Sequence, residues 1–302
     1  MLAPALACQP HQSWERTMEG QRQKAERFRA MHMEPRGFLM PNAWDAGSAV
    51  VLAAEGFAVL GTTSAGIAFS LARPDFDVGD ARLAVPRDAM LARIRQIVEA
   101  VPVPVNGDLE DGYGAQPEEV AATVRLAIAA GLAGGNIEDH DPRGPGVLFD
   151  EALAVERIRA ARAAVEQGDD TFVVNAKTDA LALTAGDGLH TSIRRGNLFL
   201  EAGADCVFPC GAGDLATVAT LVREIDGPVN VVLGWGDSRL SVAALLDTGV
   251  ARVSVGGSIA RAALGFVRAC GRELHERGTA DYAQQQIPQR ALNALFGAAG
   301  RP

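Results

Sequence analysis

From Phe38 onward the chain alternates between two kinds of segment. Short apolar runs rich in β-formers occupy 37–41, 58–63, 103–108, 134–138, 172–177, 206–209, 229–233 and 252–255. Each is four to six residues long and mostly continuous rather than alternating, as expected of a parallel strand buried on both faces. Between and after them lie 45–55, 87–100, 117–130, 150–166, 191–202, 215–225, 241–247 and 259–277, most with apolar positions at helical spacing. Pro117 stands at a helix start, and Gly56, Gly131, Gly203 and Gly249 stand just past helix ends. The phrases AAEG, AAGL, EAGA and DTGV mark the repeated turn from helix to strand. Eight strands alternating with eight helices predict an α/β fold of the (β/α)8 TIM-type barrel class. An open doubly wound sheet is the alternative, but no glycine-rich nucleotide fingerprint follows the first strand. A barrel places its chemistry where strands end and the following loops begin.

Composition narrows the function classes. Twenty-eight basic against 37 acidic residues give a net charge of −9, which argues against nucleic-acid and anionic-membrane partners. No apolar run approaches the roughly 20 residues that span a bilayer. The first residues, MLAPALACQP, lack a basic region and are broken by Pro4, so they read as an extension rather than an export signal. Cys8, Cys206, Cys210 and Cys270 are too few and too scattered for a disulfide framework, and the cytoplasm is the expected location. The expected organisation is a partly disordered extension with a leading helix over 1–36, a barrel catalytic domain over 37–278, and a helical interface segment over 279–302.

The strand ends carry the candidate chemistry. The third ends with Asp108, Glu110 and Asp111, and strand alternation would turn Asp108 and Glu110 to the same side. Glu138, Asp139, His140 and Asp141 end the fourth, and Lys177 and Asp179 the fifth. Carboxylates converging on one rim repel unless a cation lies between them, and oxygen donors without clustered Cys or His favour Mg2+ or Mn2+ over Zn2+. His140 is read either as a ligand or proton shuttle, or as a solvent-facing cap. Thr62, Thr63 and Ser64, with Ala65 and Gly66, offer hydroxyls and free N–H groups that suit an oxyanion, or form a plain turn. Trp44 walls a pocket or merely packs. Lys177, beside so many carboxylates, is expected to stay charged and bind an anion rather than form a Schiff base. Cys206 and Cys210 read as core residues.

The segments PNAWDAGSA, TTSAGIAFSLARPD, NGDLEDGYG, GGNIEDHD, VNAKTDALAL, EAGADCVFPCG, GPVNVVLG and RVSVGGSIARAAL together resemble the isocitrate lyase/phosphoenolpyruvate mutase superfamily, over roughly 37–265. The resemblance implies a modified barrel assembled as a homo-oligomer, a dimer or more usually a tetramer, with C-terminal helices swapped between subunits. It also implies Mg2+ at the barrel mouth, small 2-oxo or 2-hydroxy carboxylate substrates, and C–C or P–C bond chemistry through an enolate. Mapped onto this chain, the metal-directed acids are Asp108 with Glu110, and Glu138 through water. The substrate carboxylate would lie on the backbone of Ser64, Ala65 and Gly66, with Trp44 and Lys177 beside it. Asp75 matches an acid near metal and substrate, and Asp75 and His140 are the side-chain candidates for proton transfer.

Three departures separate this chain from the family pattern. The strand-three pair is Asp-x-Glu rather than Asp-x-Asp, and Lys177 stands where the family usually has Arg. The loop after strand four is DHDPRGPGVLFDEA, without the Lys-(Lys/Arg)-Cys-Gly-His motif of isocitrate and methylisocitrate lyases. The expectation is therefore a Mg2+-dependent lyase that cleaves a C–C bond of an oxaloacetate- or malate-like acid. Phosphonomutase or phosphonopyruvate-type P–C chemistry is the alternative within the family. A degenerate ligand-binding barrel and a Schiff-base aldolase using Lys177 are the alternatives outside it.

Overall fold

A computed structural model describes residues 20–75, 83–144, 146–168, 171–234 and 239–299. The reading of the first residues as an extension therefore lies outside the described residues up to position 19. The strands are β1 (Phe38–Met40), β2 (Asn42–Ala43), β3 (Leu60–Thr62), β4 (Val105–Asp108), β5 (Gly134–Glu138), β6 (Val173–Thr178), β7 (Cys206–Pro209), β8 (Asn230–Val232) and β9 (Arg252–Ser254). Every pairing between them is parallel. β1 and β2 are two halves of one stave, interrupted at Pro41, which has no N–H to give to a ladder. β1 pairs with β9 and β2 with β3, so the divided stave joins the last strand to the second. A single parallel bridge, Val207 to Val229, joins the β7 and β8 sides and closes the ring.

The helices are α1 (Gln21–Met31), α2 (Ala46–Ala54), α3 (Ser64–Ser70), α4 (Arg87–Ala100), α5 (Pro117–Ala129), α6 (Glu151–Gly168), α7 (Ala180–Leu183), α8 (Gly188–Glu201), α9 (Leu215–Glu224), α10 (Val242–Leu246), α11 (Ser258–Arg277) and α12 (Gln289–Ala299). Their starts follow local chemistry. Asp45 and Ser48 form a capping box at α2, and Gln116 and Glu119 form one at α5 ahead of Pro117. The strand and helix pattern anticipated from the sequence is recovered, except that α3 and α7 occupy positions read as loop. Both are too short to show a helical period. α3 starts where the Thr63 hydroxyl accepts from the Gly66 N–H at 3.3 Å.

The apolar core lies between the strands and the surrounding helices, with Ile94, Val124, Ile158 and Phe199 buried in it. The barrel interior is polar. Arg252 of β9 is fully buried there, with Nη2 donating to Asn230 Oδ1 at 2.8 Å and to Asn136 Oδ1 at 3.2 Å, and Nη1 reaching Asn106 Oδ1 at 3.4 Å. Phe28 of α1 covers this floor, its ring 5.7 Å from the guanidinium carbon. Two residues beyond Asn106, Asn136 and Asn175, on the same face of β4, β5 and β6, come Asp108, Glu138 and Lys177. The polar floor therefore supports the residues of the mouth directly.

At the other end of the chain, α11 buries only Ala260 and leaves Leu264, Phe266, Val267 and Leu274 exposed. α12 leans back on the main core through Leu295 and Ala299. No helix among the described residues is long and apolar enough to cross a membrane.

Arg252→Met removes the charged donor from three amide oxygens inside a closed barrel. We expect a loss of about 2–4 kcal/mol, read as a lower urea midpoint at unchanged slope. An unchanged midpoint would show that the amides hold their places without the guanidinium.

Candidate active site

β4 ends at Asp108, whose carboxylate is fastened to the start of α3. Its Oδ2 accepts from both the N–H and the hydroxyl of Ser64, each at 2.9 Å, while its own N–H donates to Thr62 Oγ1 at 2.9 Å. The N–H groups of Ser64 and Gly66, expected to face a substrate carboxylate, are thus already given to Asp108 and to Thr63. Trp44 packs partly buried against the core, beside Gly66.

Beyond Asp108 the chain leaves strand geometry, so alternation does not govern Glu110. Glu110 adopts φ 52° and Tyr113 φ 59°, both left-handed, with Gly112 at 81° between them. A non-glycine residue there costs roughly 1–2 kcal/mol, and the surroundings hold both in place. Arg157 of α6 reaches in to donate to the carbonyls of Asp111, Gly114 and Ala115. Thr123 donates to the Gly112 carbonyl at 2.7 Å, and the Tyr113 N–H donates to Asp111 Oδ1 at 3.0 Å. The Arg157 guanidinium also lies 4.0 Å over the Phe149 ring. The Glu110 carbonyl accepts from the Glu138 N–H at 2.9 Å, tying the turn to β5.

Glu110 and Asp108 are brought together despite the broken alternation. Burial, then repulsion from Asp108, Asp75 and Asp111, pushes the Glu110 carboxyl up to about 9. Asp75, after α3, is therefore close enough for its charge to be felt there. Glu138 and Lys177 meet on the neighbouring strands, at 2.7 Å, and Lys177 also lies 3.3 Å from Asp179. Burial opposes the ammonium, but Asp179 and Glu138 hold it charged, above the ordinary lysine value. Lys177 is thus bracketed by carboxylates rather than presented as a free cation.

Asp139 turns away from this cluster and bolts β5 to β6 and α8. It accepts from Thr178 Oγ1 at 2.7 Å, from the Asp179 N–H at 2.9 Å and from Arg195 Nη1 at 3.0 Å. Arg195 in turn donates to the Phe149 carbonyl at 2.9 Å. His140 is buried in the loop after β5, bridged antiparallel to Leu148, and Asp141 forms a bidentate pair with Arg143 at 2.6 and 2.8 Å. Cys210 is buried beside the end of β6, its N–H donating to the Thr178 carbonyl at 2.9 Å, and burial pushes its thiol up to about 12. Arg157 and Arg195 went unnoticed in the sequence, because an arginine within a helical period reads as a solvent-facing cation.

Among the described residues no three Asp, Glu, His or Cys side chains are grouped tightly enough to hold a metal ion by themselves. The donor set nevertheless fits an oxygen-bound cation completed by water. Buried Glu110 feels the charges of half-buried Asp108 and Asp75, a repulsion that a divalent charge would relieve. The charges felt at Glu110 are those of carboxylates, whereas Glu138 has Lys177 at 2.7 Å.

The family described as phosphoenolpyruvate phosphomutase matches residues 28–275. The 2-methylisocitrate lyase of Escherichia coli K12 is 31% identical over 211 residues, 67% of this chain and 67% of that one. A Burkholderia cenocepacia J2315 crystal structure, provisionally described as a lyase/mutase, superposes with TM-score 0.86 at 41% identity, covering 92% of this chain and 97% of that one. The crystal structure of 2,3-dimethylmalate lyase, described as a member of the PEP mutase/isocitrate lyase superfamily, gives TM-score 0.79 at 27% identity, with coverages of 92% and 94%.

Between the ordinary carboxyl value of 4.5 and about 9, folded Glu110 keeps a proton that the unfolded chain has released. Folding stability of the metal-free protein should therefore fall as pH rises through that window, by at most ~1.4 kcal/mol per pH unit from this group. Glu110→Gln should flatten the dependence, measured as urea midpoints from pH 5 to 9. An equal slope in the variant would place the buried proton elsewhere.

Proposed function

The chain belongs to the phosphoenolpyruvate mutase/isocitrate lyase superfamily, which contains C–C lyases and phosphonomutases, and on that premise we propose a Mg2+-dependent lyase that cleaves a C–C bond of a small 2-oxo or 2-hydroxy carboxylate. The observation that carries this reading is buried Glu110 at the end of β4 with half-buried Asp108 and Asp75 near it, where burial and then the repulsion of these neighbours favour a protonated Glu110, and a bound cation would relieve that repulsion. Asp108 and Glu110 would hold the ion, with Glu138 acting through water. Bound Mg2+ would supply Lewis-acid stabilisation of negative charge as the C–C bond breaks.

The chain's own residues divide the remaining work. Ser64 fixes the Asp108 carboxylate in one orientation through two hydrogen bonds. Lys177, kept charged by Glu138 and Asp179, contributes a positive potential beside the substrate. A charged amine in that setting is no nucleophile, which counts against the Schiff-base alternative. Asp75 is better placed than His140 to move a proton, because its charge reaches Glu110 while His140 is locked into the loop bridge. Trp44 and the Ser64–Gly66 segment would border the substrate.

Two further observations shape the reading. The loop over 139–149 is held short by the His140–Leu148 bridge and the Asp141–Arg143 pair, and it carries no cysteine. That supports a substrate other than isocitrate or methylisocitrate. A phosphoryl dianion would find Lys177 already flanked by two carboxylates, which favours C–C over P–C chemistry. The nearly bare apolar stripe of α11 supports a homo-oligomer, a dimer or tetramer, with C-terminal helices exchanged between copies.

The test is pyruvate or glyoxylate release from a panel of 2-oxo, 2-hydroxy and phosphono acids, with Mg2+ and with EDTA. Turnover that requires the metal and falls at least 100-fold in Asp108→Ala is expected. Turnover indifferent to EDTA would overturn the metal reading, and release of phosphate or phosphono products alone would replace C–C with P–C chemistry.

A further inference from the structure

The turn that carries Glu110 does not keep its shape by local preference. Glu110 and Tyr113 are both left-handed, at φ 52° and 59°. Such residues persist only where their surroundings enforce them, and they concentrate at functional sites. On one side the turn borders a cavity of about 550 Å3, lined by Glu110, Asp111 and Tyr113 among others, so packing leaves it room to move there. The holding contacts come instead from α5 and α6.

Arg157 of α6 is 1% exposed, and its guanidinium donates to the carbonyls of Asp111, Gly114 and Ala115, the last at 2.9 Å. These carbonyls flank Gly112 and Tyr113, so one rigid planar fork spans the turn. The fork gives these three bonds to main-chain oxygens rather than to a carboxylate. Its charge is offset by Asp111, Asp139 and Asp141 nearby, and its central carbon lies 4.0 Å over the Phe149 ring. Thr123 of α5 adds a second hold through the Gly112 carbonyl, at 2.7 Å.

This shape control reaches the metal-directed acids. The direction in which a side chain leaves the main chain is set by the backbone, so a turn that relaxed at Glu110 would swing its carboxylate away. Mg2+ tolerates little departure from octahedral geometry, and a displaced oxygen would be a poor ligand. Asp108 has a different support, since Ser64 fastens its carboxylate with two bonds at 2.9 Å. The two acids are therefore aimed by separate devices, one inside the mouth and one outside the barrel wall.

We propose that Arg157 is a positioning residue of the cation site, fixing the direction of Glu110 from α6 through the backbone of the turn without touching the ion. The proposal rests on the reading of Asp108 and Glu110 as the acids that hold Mg2+, and it deepens that reading.

The test is Mn2+ binding without substrate, followed by the electron paramagnetic resonance signal of the free ion, so no turnover is needed. Arg157→Met removes the donors but keeps an apolar stem, and Mn2+ affinity should fall about 10–100-fold. Thr123→Val removes the second hold and should weaken binding in the same direction by a smaller factor. Leu221→Ala, in the separate apolar cluster that includes α9, lowers stability elsewhere and should leave the affinity unchanged. If Arg157→Met binds Mn2+ as the wild type does, or, where that variant does not fold, if Thr123→Val does, the proposal is overturned while the metal reading stands. A loss in Leu221→Ala as large as that in Arg157→Met would also overturn it, because general destabilisation would then account for the effect. Failure of the wild type to bind Mn2+ would remove the metal reading itself, and the proposal with it.

Discussion

A guanidinium with no carboxylate partner among the described residues fills the middle of the barrel, and much of the structure follows from accommodating it. Burying a cation is expensive, and here burial lowers the Arg252 pKa to about 10 without removing the charge at neutral pH. The compensation comes from amide oxygens on β4, β5 and β8 together with the Phe28 ring face. An aliphatic interior of the usual barrel kind would not do this. Because the amides must point at Arg252, the strand faces that carry them are fixed in rotation. Asp108, Glu138 and Lys177 stand two residues further along those same faces. The floor thus sets the direction of the mouth.

A second constraint acts from outside the barrel. The loops after β4 and β5 carry acids that repel one another, and two arginines on surrounding helices hold these loops by their backbones. Arg157 gathers the carbonyls of the turn after β4, and Arg195 joins Asp139 to the Phe149 carbonyl. Phe149 links the two, since Arg157 stacks on its ring while Arg195 holds its carbonyl. Disturbing one loop would therefore be felt in the other. The left-handed residues at 110 and 113 are sustained by this arrangement rather than by any local preference.

How much of this was legible in the sequence depends on range. Strands and most helices declare themselves through periodicity and glycine placement, which are local. The family resemblance rests on the same strand-end segments, and the acids at 108, 110 and 138 stand out by position alone. What stayed hidden depends on contacts between distant residues. The α3 helix is too short for a period, and its cap is a threonine that also fits a strand end. Alternation places Glu110 correctly beside Asp108, but for the wrong reason, because the strand has already ended. One signal was present and unread. Asparagine precedes a charged residue by two positions on three consecutive strands, in NGD, NIE and NAK, and this marks both floor and mouth.

The mouth divides into two halves that differ in how their charge is settled. On the β5–β6 side the chain brings its own cation, and Lys177 lies within 3.3 Å of both Glu138 and Asp179. On the β4 side the charges felt at Glu110 are those of Asp108, Asp75 and Asp111, and burial together with their repulsion keeps a proton on it. An external divalent ion would relieve far more repulsion in the second half than in the first, where it would compete with an ammonium already in place. The same half holds the strained turn and the adjoining cavity. Cation demand, stored backbone strain and free volume therefore coincide at the end of β4. That coincidence supports placing the bound ion and the substrate there, with Lys177 acting from the side as a fixed positive charge rather than as the principal clamp.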